Sequence, residues 1–413
     1  VFAHNVECVP RLDKKVRDPR ASFEQSLLIL KHAKKIRPDI ITKTSLMVGV
    51  GETNDEIIMA MDLIREAKVD LITIGQYLAP SKKHLKVDRF PEPHLYDEWA
   101  EIAIEKGFSG VASGPFVRSS FKAGLLLRKT LDPNKVSSTS NWIMHLDFDS
   151  MRESEIGIFV EENYNKIPHV QEKLDWVKNN YGIDLQKVSS FTMFGSGEKH
   201  KAIGIMEGGV NSENVGKFAD SQDFISKNKI GKYEVFSVNK GKHPMAYAPL
   251  KKGKLIVGPN ADYVSEGIAL ARGKAKGYGG HSILSKILKT SLSPGFMVFA
   301  DLNGISENID MDQRAKRMTE VMDAFGMSIN EHLGGLTITG IIEAKSEESS
   351  KQIENMIRGG YAMMKMSIPQ DQNIDSMIRG FSINRTDSTL IIDLEISVDA
   401  VIDRLKKEAQ KSI

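Results

Sequence analysis

The chain has 413 residues, 41% hydrophobic and 27% charged, a globular balance with room for two or three domains. Its 56 basic and 54 acidic side chains leave a net charge of +2, so charge gives no case for nucleic acid or an anionic membrane as the main partner. No apolar run approaches the roughly 20 residues of a membrane span. The opening VFAHNVECVP carries no basic-then-apolar signal segment, so a cytoplasmic chain is expected, and no initiator methionine, which fits a fragment.

Val1–Val6 reads as a short apolar strand that ends in His4-Asn5, and Cys8–Arg20 as a polar, basic loop with two prolines. Ala21–Ile36 has helical spacing, with Leu27, Leu28, Leu30, Ala33 and Ile36 on one face and Ser22 as N-cap. Ile40–Val50 is a second strand. Gly49-Val50-Gly51-Glu52-Thr53 turns it into a helix over Asp55–Ala67. Val69–Tyr77 is a third strand, Tyr96–Lys106 a third helix and Gly110–Ala112 a fourth, short strand. Strands alternating with helices, and apolar on both faces, mean a parallel sheet with right-handed crossovers. Four such units make half of a (β/α) barrel, where chemistry sits at the C-terminal strand ends. Here those ends are polar or glycine-rich: His4–Glu7, Gly49–Thr53, Gln76–Ser81 and Ser113–Pro115. The Gly49–Glu52 turn can bring backbone N–H groups near an anionic or ribose-bearing ligand, although a plain tight turn explains the same glycines. His4 and the Arg-Ser-Ser run at Arg118–Ser120 likewise have bland readings, as a structural histidine and a helix start.

Four stretches carry a resemblance. HNVECVPRLDKKVRDPRASFEQSLLILKHAK, TKTSLMVGVGET, TIGQYLAPSKKHLKVDRF and GFSGVASGPFVRSSFKAG, in that order over about residues 1–127, resemble the C-terminal half of lipoyl synthase. That family uses radical S-adenosylmethionine chemistry. It inserts two sulfur atoms, at the sixth and eighth carbons, into an octanoyl chain held on a lysine of a lipoyl carrier domain. The resemblance implies S-adenosylmethionine and two 4Fe–4S clusters as cofactors, and octanoylated lipoyl carrier domains as partners. It implies that Asn5 and Glu7 face S-adenosylmethionine, with Lys43, Ser45 and Glu52 as lesser candidates and Gln76–Pro80 along the adenine. It implies that Ser119, supported by Arg118, gives an oxygen ligand to the auxiliary cluster. A hard alkoxide is a weak fourth ligand that lets its iron depart. The family's two cysteine motifs, C-x3-C-x2-C and C-x4-C-x5-C, are absent. The single cysteine, Cys8, stands where the family commonly has threonine, and one thiol cannot hold a cluster or a zinc ion alone. This chain by itself is therefore expected to bind no cluster stably and to be inactive as a sulfurtransferase.

Leu131–Ser140 reads as a polar linker between a domain over residues 1–130 and a different region. Trp142–Asp147 is a strand, Met151–Asn180 largely helical, and strands follow near Val188–Phe194 and Lys201–Glu207. A helix over Ser212–Ser226 precedes strands at Tyr233–Val238, Met245–Ala248 and Leu255–Val257, and Ala261–Gly273 is helical. The pattern then recurs: FMVFADL at Phe296–Leu302 matches WIMHLDF. Later elements repeat at an offset of about 135–155 residues. Two α+β copies, over residues 141–290 and 291–413, are expected, each with helices on one face of an antiparallel sheet.

No chemistry is legible there. Asp147 and Asp149 suit a cap as well as a metal, and Gly273–Gly280 lacks phosphate-loop spacing. His145, His243 and His281 lack ligand spacing. Met356–Met366 reads as an adaptable apolar face. Beside the enzyme reading stands a second one: a non-enzymatic binding or structural protein whose role lies in the duplicated region.

Overall fold

Four strands, β1 (Phe2–Ala3), β2 (Thr42–Val48), β3 (Leu71–Gln76) and β4 (Gly110–Gly114), form a parallel sheet in sequential order. The computed structural model describes residues 1–38, 40–119, 131–163, 168–198, 200–241, 244–290, 295–303, 313–332, 334–367 and 377–411. Two compact units divide the chain, Val1–Arg128 and Lys129–Ile413.

In the first unit the stretch expected as a loop carries a 3-10 turn, Pro10–Leu12, and helix α1 (Asp13–Val16). The Asp13 carboxylate explains this order, because it accepts a hydrogen bond from the backbone N–H of Phe23 and ties α1 to the start of α2 (Phe23–Ile36). Ser22 caps α2 by accepting from Gln25 N at 3.0 Å. Helix α3 (Asn54–Glu66) opens with a full capping box between Thr53 and Glu56. Helix α4 is Pro93–Glu105. Right-handed crossovers that always step the same way put successive helices on one face of the sheet. Phe23, Leu30, Ile57, Met61, Ile64, Tyr96 and Trp99 from the helices share one core with Leu46, Val48, Ile72 and Ile74 from the strands. After β1 the chain rejoins the sheet edge, where Glu7 N donates to Ser45 O at 3.0 Å and Met47 N to Glu7 O at 2.7 Å.

The second unit holds β5 (Trp142–Asp147), α5 (Phe148–Glu153), α6 (Glu155–Asn163), α7 (Pro168–Tyr181), β6 (Ile183–Gly195), β7 (Ala202–Val210) and α8 (Ser212–Asp220). Next come β8 (Ile225–Ile230), β9 (Tyr233–Val238), β10 (Met245–Leu250), β11 (Lys254–Gly258), α9 (Ala261–Ala271) and α10 (Ser282–Thr290). The chain continues with β12 (Phe296–Asp301), α11 (Gln313–Val321), β13 (Met322–His332), β14 (Gly335–Ala344), α12 (Glu347–Ser367), β15 (Ile378–Thr386), β16 (Thr389–Ser397) and α13 (Val398–Lys411). The twelve strands among the described residues of this unit join one sheet, in the order β15-β16-β14-β13-β12-β5-β6-β7-β11-β10-β9-β8, rather than two separate sheets. The helix expected to reach Ser226 ends at Asp220. Its last residues are drawn into β8, because pairing with β9 satisfies their backbone groups. The expected linker is packed: Leu131 and Val136 are buried in this unit's main core. Asp147 caps α5 by accepting from Ser150 N at 3.0 Å, and Asp149 pairs with Arg152 at 2.7 Å. His145 Nδ1 lies 2.9 Å from Thr192 Oγ1, His281 rests on the Phe299 ring, and His243 is outside the described residues. Met356, Met363 and Met366 are exposed on α12. Among the described residues no helix is long and apolar enough to cross a membrane.

Candidate functional site

Strand alternation gives the parallel sheet two unlike faces. Leu46, Val48, Ile72 and Ile74 meet the helices, while Lys43, Ser45 and Met47 on β2 alternate with them, as do Thr73 and Gly75 on β3. Residues 115–119 turn back over that second face. The Val117 carbonyl comes so near β3 that a Cβ on Gly75 would sit 2.1 Å from its oxygen. Lys43 Nζ donates to the carbonyl of Ser119, which holds the far end of the same segment. Lys43 is only 2% exposed, and its burial pulls the ammonium below the usual lysine pKa. The Arg118 guanidinium donates to Val117 O at 2.8 Å and Pro115 O at 3.3 Å. The remainder of the motif, Ser120 and Phe121, lies outside the described residues.

This returning segment walls a cleft of about 660 Å³, lined by Glu7, Ser45, Gln76, Arg118 and Ser119 among the expected residues. Asn5 is not among the lining residues; it donates to Glu7 Oε1 at 3.2 Å and so orients the carboxylate. Gln76 is spent within the protein: its Oε1 accepts from Tyr96 OH at 2.9 Å, and its Nε2 donates to Tyr77 O at 3.0 Å and Arg89 O at 3.2 Å. It shapes the wall with a fixed amide. Tyr77, Leu78 and Pro80 line the cleft beside it.

Glu52 is turned elsewhere. It is 4% exposed and accepts from Gly49 N at 2.7 Å and Val50 N at 3.0 Å. The glycine turn therefore closes on its own carboxylate, and those two N–H groups face Glu52 instead of a ligand. Lys43, tied to the Ser119 carbonyl, is a brace beneath the cleft.

Sequence reasoning passed over Lys15 and Arg17, which also line the cleft. The Arg17 side chain is 10% exposed and its Nη1 stands 3.6 Å from Asp13 Oδ1. That nitrogen is buried with no hydrogen-bond partner, while Nη2 donates to Ser26. A buried donor left open is costly unless something completes it. The run DKKVRDPR advertises these cations by composition, but only the fold of α1 shows where they point.

Cys8 is fully buried, and burial together with the Asp13 carboxylate pushes its thiol up to about 12. It is an inert thiol and does not line the cleft. Among the described residues no three His, Cys, Asp or Glu side chains come together as a metal site.

No protein-family profile matches the chain. Curated relatives do, over part of its length. The mitochondrial lipoyl synthase of Bos taurus is 53% identical over 131 residues, 32% of this chain and 35% of that protein. The mitochondrial lipoyl synthase of Rattus norvegicus is 50% identical over 140 residues, 34% and 38%. The lipoyl synthase of Marinobacter nauticus is 53% identical over 129 residues, 31% and 37%. About a third of the chain is thus similar to lipoyl synthases, and the chain spans little more than a third of their length. Solved structures of TP0453, crystal forms I and IV, match at 10% and 11% identity and TM-scores of 0.37 and 0.38, covering 68% and 67% of this chain and 98% and 97% of theirs. That likeness is too distant to carry an argument.

Proposed function

We propose that residues 1–119 form the cofactor-facing surface of a lipoyl-synthase-type radical S-adenosylmethionine site, on part of a (β/α) barrel. One observation supports this above the others. Each of the four stretches that carry the resemblance sends residues to the same cleft: Glu7 and Arg17, Ser45, Gln76, and Arg118 with Ser119. In barrels of parallel strands the C-terminal strand ends are where chemistry is built.

The donor set suits S-adenosylmethionine. The Arg17 guanidinium lines the cleft with a charge that suits a ligand carboxylate, and the Glu7 carboxylate suits an ammonium or ribose hydroxyls. When bound beside a reduced cluster, that cofactor supplies a carbon radical able to activate a C–H bond. The residues do not fit the cluster itself. A 4Fe–4S centre takes four thiolate or equivalent ligands. This chain offers one cysteine, held as a buried thiol with a pKa of about 12, and the Ser119 hydroxyl. On this reading the 413-residue chain alone forms no lipoyl groups, and an octanoylated lipoyl carrier domain would be the partner only of a completed site.

Calorimetric titration of the chain with S-adenosylmethionine tests the cleft. Saturable binding, weakened about tenfold by Arg17→Gln, is expected from the loss of one charge-assisted contact. Binding that ignores Arg17→Gln, Glu7→Gln and Ser45→Ala would remove the cleft from the role. Complementation of a lipoate auxotroph tests the rest: no growth is expected, and growth would overturn the inactivity.

A further inference from the structure

We infer that the second unit carries an anion site, independent of the cleft above, that takes a phosphate group on a small molecule or headgroup. It lies between the β8–β9 turn and the last turn of α9, in a cleft of about 480 Å³ lined by Lys232, Tyr233, Ser265, Arg272 and Lys274. Lys232 Nζ stands 5.5 Å from the centre of the Tyr233 ring, and Arg272 Cζ stands 5.6 Å from it. Two cations from different elements thus converge on one aromatic ring, with a third, Lys274, beside them.

Nothing in the cleft neutralises them. None of its lining residues is acidic, and among the described residues no ion pair involves Lys232, Arg272 or Lys274. Nearby acids are engaged elsewhere: Glu234 pairs with Lys227 at 3.1 Å, and Glu266 accepts from the Ser137 hydroxyl. The negative end of α9 favours cations near its last turn. That accounts for Arg272 and Lys274, which follow the helix. It does not account for Lys232, which the hairpin turn at Gly231 brings in from another direction. Like charges gathered round one small space repel, and an entering anion relieves the repulsion.

The chemistry points to phosphate. A guanidinium binds phosphate oxygens in a bidentate fork, the lysines add point charges, and the Ser265 hydroxyl can donate. The volume falls within the roughly 300–1,000 Å³ of small-ligand sites, and the cations form a cluster rather than the long stripe a nucleic acid needs.

Calorimetry on the full chain with inorganic pyrophosphate, and sedimentation with phosphatidylcholine vesicles containing phosphatidic acid, test the site and separate its two sources. Saturable pyrophosphate binding, weakened by salt and about tenfold by Arg272→Gln, is the expected result for a free phosphate. Vesicle binding alone, lost in the Lys232→Gln, Arg272→Gln, Lys274→Gln triple variant, assigns the phosphate to a headgroup. The Lys82→Gln, Lys83→Gln variant, altered in the other unit, should bind as the parent does, and thermal melts check that each variant folds. No binding in either arm, or binding that the folded triple variant retains, overturns the site.

Discussion

Alanine at Gly75 should lift the 115–119 segment off the sheet. The added Cβ would meet the Val117 carbonyl oxygen at 2.1 Å, below the 3.0 Å that real Cβ contacts respect, so about 1 Å of movement is required. The obstacle is backbone, and no side-chain rotation relieves it. Strand β3 is paired on both sides, so the returning segment yields. Its movement pulls Ser119 O from the buried Lys43 ammonium, which loses its acceptor. Overpacking of this kind costs roughly 1–3 kcal/mol, or about a 5- to 150-fold increase in local opening. Hydrogen–deuterium exchange read by mass spectrometry on peptides spanning β4 and residues 115–119 measures that opening, without assuming two-state unfolding of a two-unit chain. Gly114→Ala is the control, since its Cβ would meet Val117 Cγ2 at an ordinary 3.4 Å and should change exchange less than about twofold. Equal exchange in Gly75→Ala and the parent, or equal effects of the two variants, would refute the reasoning. Binding of S-adenosylmethionine should fall with Gly75→Ala as well, since Val117, Arg118 and Ser119 move together.

Three further outcomes follow from local chemistry. Cys8, pushed up to about 12 by burial and by Asp13, should not react with Ellman's reagent in the folded chain at mildly alkaline pH, and should react fully in guanidinium. Below the ordinary value of 9.0 neither state ionises; above it the unfolded chain loses its proton first, so this contribution to stability drains away between about 9 and 12. Glu56 is held down to about 2, first by the Arg11 guanidinium at 2.5 Å and 2.9 Å and then by the backbone N–H of Thr53. Its contribution is present above the ordinary 4.5 and lost as pH falls toward 2. Because Arg11 is largely exposed, Glu56→Ala should cost only about 1 kcal/mol, read from the exchange of α3 amides. Tyr247 buries a hydroxyl with no hydrogen-bond partner, so Tyr247→Phe should leave the second unit unchanged or more stable by about 1 kcal/mol in urea denaturation. A clear loss of stability would show that the hydroxyl is satisfied.

The first unit was legible where local signals agreed. Ser22, Thr53 and the apolar spacing of α2 and α3 specify helices by capping and periodicity, and the structure places them within two residues of the expectation. The sheet face was harder. Lys43 and Ser45 look alike as polar residues on an apolar strand, yet one braces a carbonyl and the other lines a cleft. That difference arises from where residues 115–119 return, a contact across 76 positions that no local pattern encodes. Glu52 misled for a related reason. A glycine turn with a carboxylate can present amides to a ligand or fold the carboxylate onto them, and two short hydrogen bonds decide for the second.

In the second unit, register supports a duplication more strongly than composition can. The match between WIMHLDF and FMVFADL makes Met144 equivalent to Val298, the third residue of each run. Those two residues are paired across the central β5–β12 ladder. An antiparallel pair in which a residue faces its own equivalent is what a local two-fold axis through the sheet produces. The neighbours then follow in matching order, β6, β7, β11 and β10 on one side and β13, β14, β16 and β15 on the other. A helix follows β7 and β14, and another follows β11 and β16. We propose on this ground that the unit is two copies of one α+β element sharing a sheet. Neither copy could bury its central edge alone, which is why the repeat appears as one sheet and not as two domains. Among the described residues the β8–β9 hairpin has no counterpart beyond β15, so the cationic cleft it builds with α9 belongs to the first copy. An element that breaks the symmetry is free of the constraint the shared sheet imposes, and that is where a binding function can be added without disturbing the core.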